Sequence, residues 1–174
     1  MGSSLRLGRI AGIDVFLHWT FGLLLVGAFA FFLVNGQGVA TAAAALLLIL
    51  AVFGCVVLHE FGHALTARRY DVPTKDITLY PIGGVARLQR IPEAPTQELL
   101  IAIAGPAVNV ALALLIGGGL LALGQSITAP TGLGEPLGHF WANLFWVNVL
   151  LVGFNLLPAF PMDGGRVLRA LLAY

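Results

Sequence analysis

His59-Glu60-Phe61-Gly62-His63 sets two imidazoles four residues apart, on one face of a helix, with a carboxylate beside them. Neutral imidazole nitrogens are good zinc donors, and a catalytic zinc keeps one position open for water. The chemistry this spacing suggests is metal-assisted hydrolysis. The eight residues before the motif, Ala51 to Leu58, carry no charge. A soluble enzyme would show a polar face on that helix. The competing reading is a buried polar cluster bonded between helices, but uncompensated ionisable groups in lipid are costly and zinc relieves that cost.

The elements that must hold these residues follow from composition. Only 10% of the 174 residues are charged and 59% are hydrophobic, against about 25% charged in ordinary soluble domains. Such a chain cannot cover its surface with polar groups, so lipid is part of its solvent. The expected fold is mainly α, a polytopic membrane protein in one domain over residues 1–174. Four apolar stretches approach the roughly 20 residues a crossing needs: Phe16–Val34, Ala40–Ala67, Leu99–Leu123 and Phe140–Leu157. A fifth helix begins near Gly165, and the apolar end at Tyr174 suggests C-terminal truncation. The first stretch is too long in its apolar core, and lacks the cleavage site, for a removable signal peptide.

Basic residues then orient the chain. Arg6 and Arg9 precede the first stretch; Arg68, Arg69, Lys75, Arg87 and Arg90 follow the second; Arg166 and Arg169 follow the fourth. The loops around Asn35–Val39 and Gln125–Gly138 contain no Lys or Arg. With four crossings, all nine positive charges fall on one side, as the positive-inside rule requires. The N-terminus is therefore expected in the cytoplasm. His59 and His63 then lie roughly 8–14 Å of helix before Arg68, inside the membrane near its cytoplasmic face. Near-zero net charge gives no case for nucleic acid, and the single Cys55 allows no internal disulfide.

A catalytic zinc usually takes three protein ligands. Asp14, Asp71, Asp76, Glu93 and Glu98 lie in cytoplasmic segments, and Glu135 lies on the far side. Asp163 differs, because it follows the fourth stretch in Asn155-Leu156-Leu157-Pro158-Ala159-Phe160-Pro161-Met162-Asp163-Gly164-Gly165. Pro158 and Pro161 remove backbone donors and break the helix. Irregular backbone at membrane depth is tolerated where it lines a cavity or is packed by protein. The second and fourth stretches run in the same direction, so Asp163 can reach the depth of His63 and complete a His, His, Asp set. A turn-forming Asp-Gly is the other reading of that residue.

These residues resemble the site-2 protease family of intramembrane zinc metalloproteases. The resemblance rests on His59-Glu60-Phe61-Gly62-His63 in a membrane helix and on the Asn155…Pro158…Pro161…Asp163-Gly164 pattern. It extends to Leu5–Val15, Gly83-Gly84 and Gly105-Pro106-Ala107-Val108-Asn109, nearly the whole chain. It implies one Zn2+ per chain on His59, His63 and Asp163, with Glu60 as general base. It also implies a multi-pass protein of a prokaryotic cell membrane that cleaves a transmembrane protein substrate within the lipid bilayer.

Other residues carry paired readings. Asn155 offers an amide to the oxyanion, or a hydrogen bond at the helix end. Asn109 positions substrate or active site, or satisfies backbone freed by Pro106. Cys55 reads as packing, and His18-Trp19 as an interfacial belt. Asp76–Tyr80 and Gly83–Leu88 suggest a β hairpin or small sheet at the cytoplasmic interface, with Arg6–Val15 as a further strand. Tyr80–Leu88, including Gly83 and Gly84, is expected to receive an unwound substrate by backbone pairing; an ordinary loop hairpin is the alternative. A membrane metal-ion transporter and a non-cleaving helix-binding relative are the rival functions. The first lacks polar positions repeated along several spans, and the second is disfavoured by the presence of Glu60.

Overall fold

The computed structural model describes residues 4–90, 92, 94–128, 139–159 and 161–173; Glu93 and Glu135 lie outside them. The chain runs β1 (Ser4–Ile10), β2 (Ile13–His18), α1 (Thr20–Val34), α2 (Gly38–Arg68), β3 (Thr74–Tyr80), β4 (Gly83–Leu88), α3 (Pro95–Ala122), α4 (Phe140–Asn155) and α5 (Asp163–Leu172). Two helix starts and the extent of the sheet differ from the sequence expectation. Phe16 to His18 are strand, with Phe16 opposite Thr78, so the first helix starts at Thr20. An unbroken apolar run has no period to separate strand from helix. The fifth helix begins at Asp163, two residues before Gly165. The expected hairpin is half of a four-stranded mixed sheet.

That sheet has the order β1-β2-β3-β4, so β4 is an edge. β1 pairs antiparallel with β2, β2 parallel with β3, and β3 antiparallel with β4. Ala11 and Gly12 both take positive φ, at 51° and 84°, which matches the two-residue turn that right-twisted antiparallel strands prefer. Ile13, Val15 and Ile77 point to one face and pack on Phe61 and Ala64 of α2. The sheet is thus fastened beside the His-Glu-x-x-His turn.

Among the described residues, α2 and α3 are the two helices long and apolar enough to cross a membrane. At 1.5 Å per residue they reach roughly 46 and 42 Å, beyond the roughly 30 Å of a hydrocarbon core. α1 and α4 are apolar but shorter, with 15 and 16 residues. Leu47, Leu114 and Leu115 are 57%, 71% and 73% exposed, an outer surface suited to acyl chains rather than water. α3 sits at the centre, packed on α2, α4 and α5.

Candidate metal centre

The centre begins with two close helix approaches. A Cβ on Gly62 would lie 2.7 Å from the Ala104 carbonyl oxygen of α3, so only glycine lets the two backbones meet there. Opposite, Gly105 of α3 faces both histidines: its Cβ would sit 2.2 Å from His63 Nε2 and 2.7 Å from His59 Nε2. Gly105 therefore leaves open the space in front of both donor nitrogens. Pro106 follows inside the helix and cannot donate to the preceding turn. Next to the Ala102 carbonyl that Pro106 leaves without its helical donor, the Ile101 carbonyl accepts a hydrogen bond from His63 Nδ1 at 2.7 Å.

The tautomers follow from the partners. His59 Nδ1 meets Asn109 Oδ1 at 2.5 Å and His63 Nδ1 meets a backbone carbonyl. Both partners are acceptors, so each Nδ1 carries the proton and each Nε2 presents a bare lone pair. The two Nε2 atoms lie 3.0 Å apart, and Asp163 Oδ2 lies 3.2 Å from one and 3.1 Å from the other. Three acceptors converge without a donor between them. A proton on one Nε2 serves one contact, and protons on both put like charges 3.0 Å apart. A divalent cation satisfies all three at once. Donors about 2.0–2.1 Å from a tetrahedral zinc stand roughly 3.3 Å from each other, close to this triangle. His59, His63 and Asp163 are the candidate metal cluster among the described residues, and all three are buried.

Asp163 arrives there because α4 ends at Asn155 and the chain re-enters α5 at Met162, whose backbone is extended. A Cβ on Gly164 would lie 2.2 and 2.3 Å from the Leu157 and Leu156 carbonyl oxygens. The start of α5 is thus pressed under the end of α4, where only glycine fits. At the first turn of α5 the carboxylate also meets the positive end of the helix dipole. Further along α5, Arg169 forms an ion pair with the buried Glu98 of α3, tying the helix that bears Asp163 to the central one.

Glu60 points to the sheet. Its Oε2 accepts the Ala86 backbone N–H at 3.1 Å, and a Cβ on Gly84 would meet its Cγ at 2.6 Å. Since Ala86 donates to Glu60, that amide lies on the outer edge of β4, away from β3. The adjacent strands are braced by Arg87, which makes two bonds to Asp76 at 2.7 and 2.6 Å. The Asp76 carboxylate holds that guanidinium above its ordinary pKa.

Other expected residues fall less centrally. Asn155 donates to the Leu151 carbonyl of its own helix at 2.9 Å and makes no contact with the cluster among the described residues. Asn109 is fully buried and bonded to His59, which takes it away from substrate and makes it a holder of the ligand ring. Gly83 lies at the start of β4, with open space where a Cβ would stand. His18 bonds to Thr20 and stacks on Tyr80. Sequence reasoning missed Asn148, fully buried in α4 and bonded to Asn109. The available signal was a lone amide within Trp146-Val147-Asn148-Val149-Leu150, since buried amides in membrane helices bond across helices.

The described residues thus form a mainly helical fold with two long apolar helices, a small mixed sheet and a buried His-His-Asp cluster, a candidate metal site, beside a glutamate. The profile of Peptidase family M50 matches residues 47–137 and 119–174, and the chain belongs to that family. It is 44% identical over 173 residues to Zinc metalloprotease MJ0392 of Methanocaldococcus jannaschii, covering 99% of this chain and 47% of that protein. It is 36% identical over 180 residues to Putative zinc metalloprotease Rip3 of Mycobacterium tuberculosis, covering 99% and 44%. The chain thus spans about half the length of these curated relatives. The solved Site-2 Protease from Methanocaldococcus jannaschii matches with a TM-score of 0.70 and 40% identity, over 98% of this chain and 72% of that one.

Proposed function

We propose that the chain is the catalytic core of an intramembrane zinc endopeptidase that hydrolyses a peptide bond in or near a transmembrane segment of another protein. The observation that carries this reading is the triangle of three acceptor atoms, 3.0–3.2 Å on each edge, set in a lipid-facing helix pair beside Glu60. His59, His63 and Asp163 would hold one Zn2+, which when bound polarises a carbonyl and acidifies a water ligand to a pKa of about 7. Glu60 accepts the proton of the attacking water and returns it to the leaving amine. Its contact with Ala86 fixes the carboxylate between α2 and the edge of β4. Gly62 and Gly105 let α2 and α3 close around the donors, which excludes lipid and stray water.

The outer edge of β4 supports a route for substrate. A helical substrate hides its peptide groups, so it must unwind before cleavage, and an extended segment can add to a sheet edge. Gly83 and Gly84 would let that segment lie flat beside Glu60. Four crossings with the N-terminus in the cytoplasm fit the charge pattern; α1 and α4 then cross where the bilayer is thinned or flanking residues complete the span. A prokaryotic cell membrane is the setting this reading implies.

Purified full-length protein in proteoliposomes, with a membrane-protein substrate, tests the reading beside Glu60→Gln. Zinc content is expected in both proteins and cleavage only with Glu60, with a loss of about 10²–10⁴-fold in the variant. Equal cleavage by the variant, or zinc uptake into vesicles that survives the substitution, refutes it; the latter points to transport.

A further inference from the structure

Asn148 is fully buried in α4, a helix that supplies no candidate metal ligand. Its Nδ2 donates to the Leu144 carbonyl at 2.8 Å and to Cys55 Sγ at 3.4 Å. Its Oδ1 accepts Asn109 Nδ2 at 2.8 Å, and Asn109 Oδ1 in turn meets His59 Nδ1 at 2.5 Å. The direction of the whole chain is set at one end. A backbone carbonyl only accepts, so the Asn148 atom facing Leu144 is the NH2 group. Its oxygen must then face Asn109, which turns the Asn109 oxygen towards His59. That oxygen requires the proton on Nδ1 and leaves Nε2 bare.

We propose that Asn148 is a positioning residue for the metal centre, acting through Asn109 to lock His59 in the tautomer and orientation that binds zinc. This rests on the zinc reading above. Without Asn148, the Asn109 amide has no partner to define its two faces and can present NH2 to His59 instead. An NH2 donor there favours the opposite tautomer, whose Nε2 carries a proton and cannot ligate. Partners of this kind typically govern metal affinity by 10–100-fold.

The experiment measures Zn2+ affinity of the full chain in detergent by competition with a chromophoric chelator, together with the Co2+ ligand-field spectrum. Asn148→Leu keeps the volume and is expected to weaken zinc by 10–100-fold and to shift the Co2+ bands. Asn148→Ser, whose hydroxyl bonds back to the Leu144 carbonyl but falls short of Asn109, gives the same loss and serves where the leucine variant folds poorly. Asn109→Asp presents an acceptor oxygen to His59 whichever way it turns but sets its other oxygen against Asn148 Oδ1, so adding Asn148→Leu to it removes that repulsion and is expected to cause no loss of affinity. Unchanged affinity in both single variants, or a full loss repeated in the Asn109→Asp background, overturns the proposal. Wild-type protein that binds no stoichiometric Zn2+ refutes the zinc reading itself.

Discussion

Gly105→Ala is the sharpest probe of the centre, because it adds one methyl group where two ligand atoms converge. Its Cβ would stand 2.2 Å from His63 Nε2, 2.5 Å from His63 Cε1 and 2.7 Å from His59 Nε2. Ordinary contact between such atoms begins near 3.5 Å, so both rings must retreat by roughly 1 Å. Neither ring is free to do so. His63 is held by the Ile101 carbonyl and His59 by Asn109, and rotating either ring breaks a bond of 2.7 or 2.5 Å. Metal–ligand distances tolerate only about 0.2 Å, so a 1 Å retreat removes two of three ligands. Loss of an orienting partner alone costs 10–100-fold in affinity; displacing two ligands is expected to exceed about 100-fold. The backbone gains, since alanine is favoured over glycine in a helix by about 1 kcal/mol. The assay is zinc content after dialysis against a weak chelator, with far-UV circular dichroism to confirm folding. Gly54→Ala in α2 is the control, because nothing lies within 4 Å of its added Cβ. A folded Gly105→Ala protein that holds one zinc at wild-type affinity refutes the assignment of the triangle as the metal site.

Two further substitutions test the supports of the centre. Gly164→Ala drives a methyl against the Leu156 and Leu157 carbonyl oxygens; such overpacking is expected to cost about 1–3 kcal/mol, read as a lower melting temperature, with Asp163 displaced and zinc weakened. A wild-type melting curve and affinity would show that α5 is not pressed against α4. Gly84→Val crowds Glu60 from the sheet, where even a Cβ meets its Cγ at 2.6 Å; cleavage is expected to fall at least tenfold, by the logic of a displaced general base, with zinc affinity unchanged. Undiminished cleavage would separate β4 from the chemistry.

The two halves of the centre were unequally legible. The helical spacing of His59 and His63 is a local property, so a five-residue stretch suffices to put both rings on one face. Asp163 was within reach because Pro158 and Pro161 mark a break and the positive charges orient the spans. The extent of the sheet was not legible, since Phe16 to His18 continue an apolar run that fits strand or helix equally. Asn155 carries the family pattern yet bonds to Leu151, because a side-chain amide at a helix end has a carbonyl waiting one turn back. Asn148 went unnoticed because the partners that link it to the centre are 39 and 93 residues away.

By itself the sequence determined the apolar character of the helices and the face shared by the two imidazoles, while Asp163 was singled out as their partner only with the family resemblance added. Composition, helical period and proline breaks act over short stretches of chain and need no partner to be read. Only the tertiary structure decided how the lone pairs point. The tautomers of His59 and His63 depend on Asn109 and the Ile101 carbonyl from α3, and the space before them on the missing Cβ of Gly105. The edge of β4 that meets Glu60 depends on a sheet joining residues on both sides of α2. A hydrogen bond has direction and a steric contact has a distance of a few tenths of an ångström, and neither exists until distant segments are packed together.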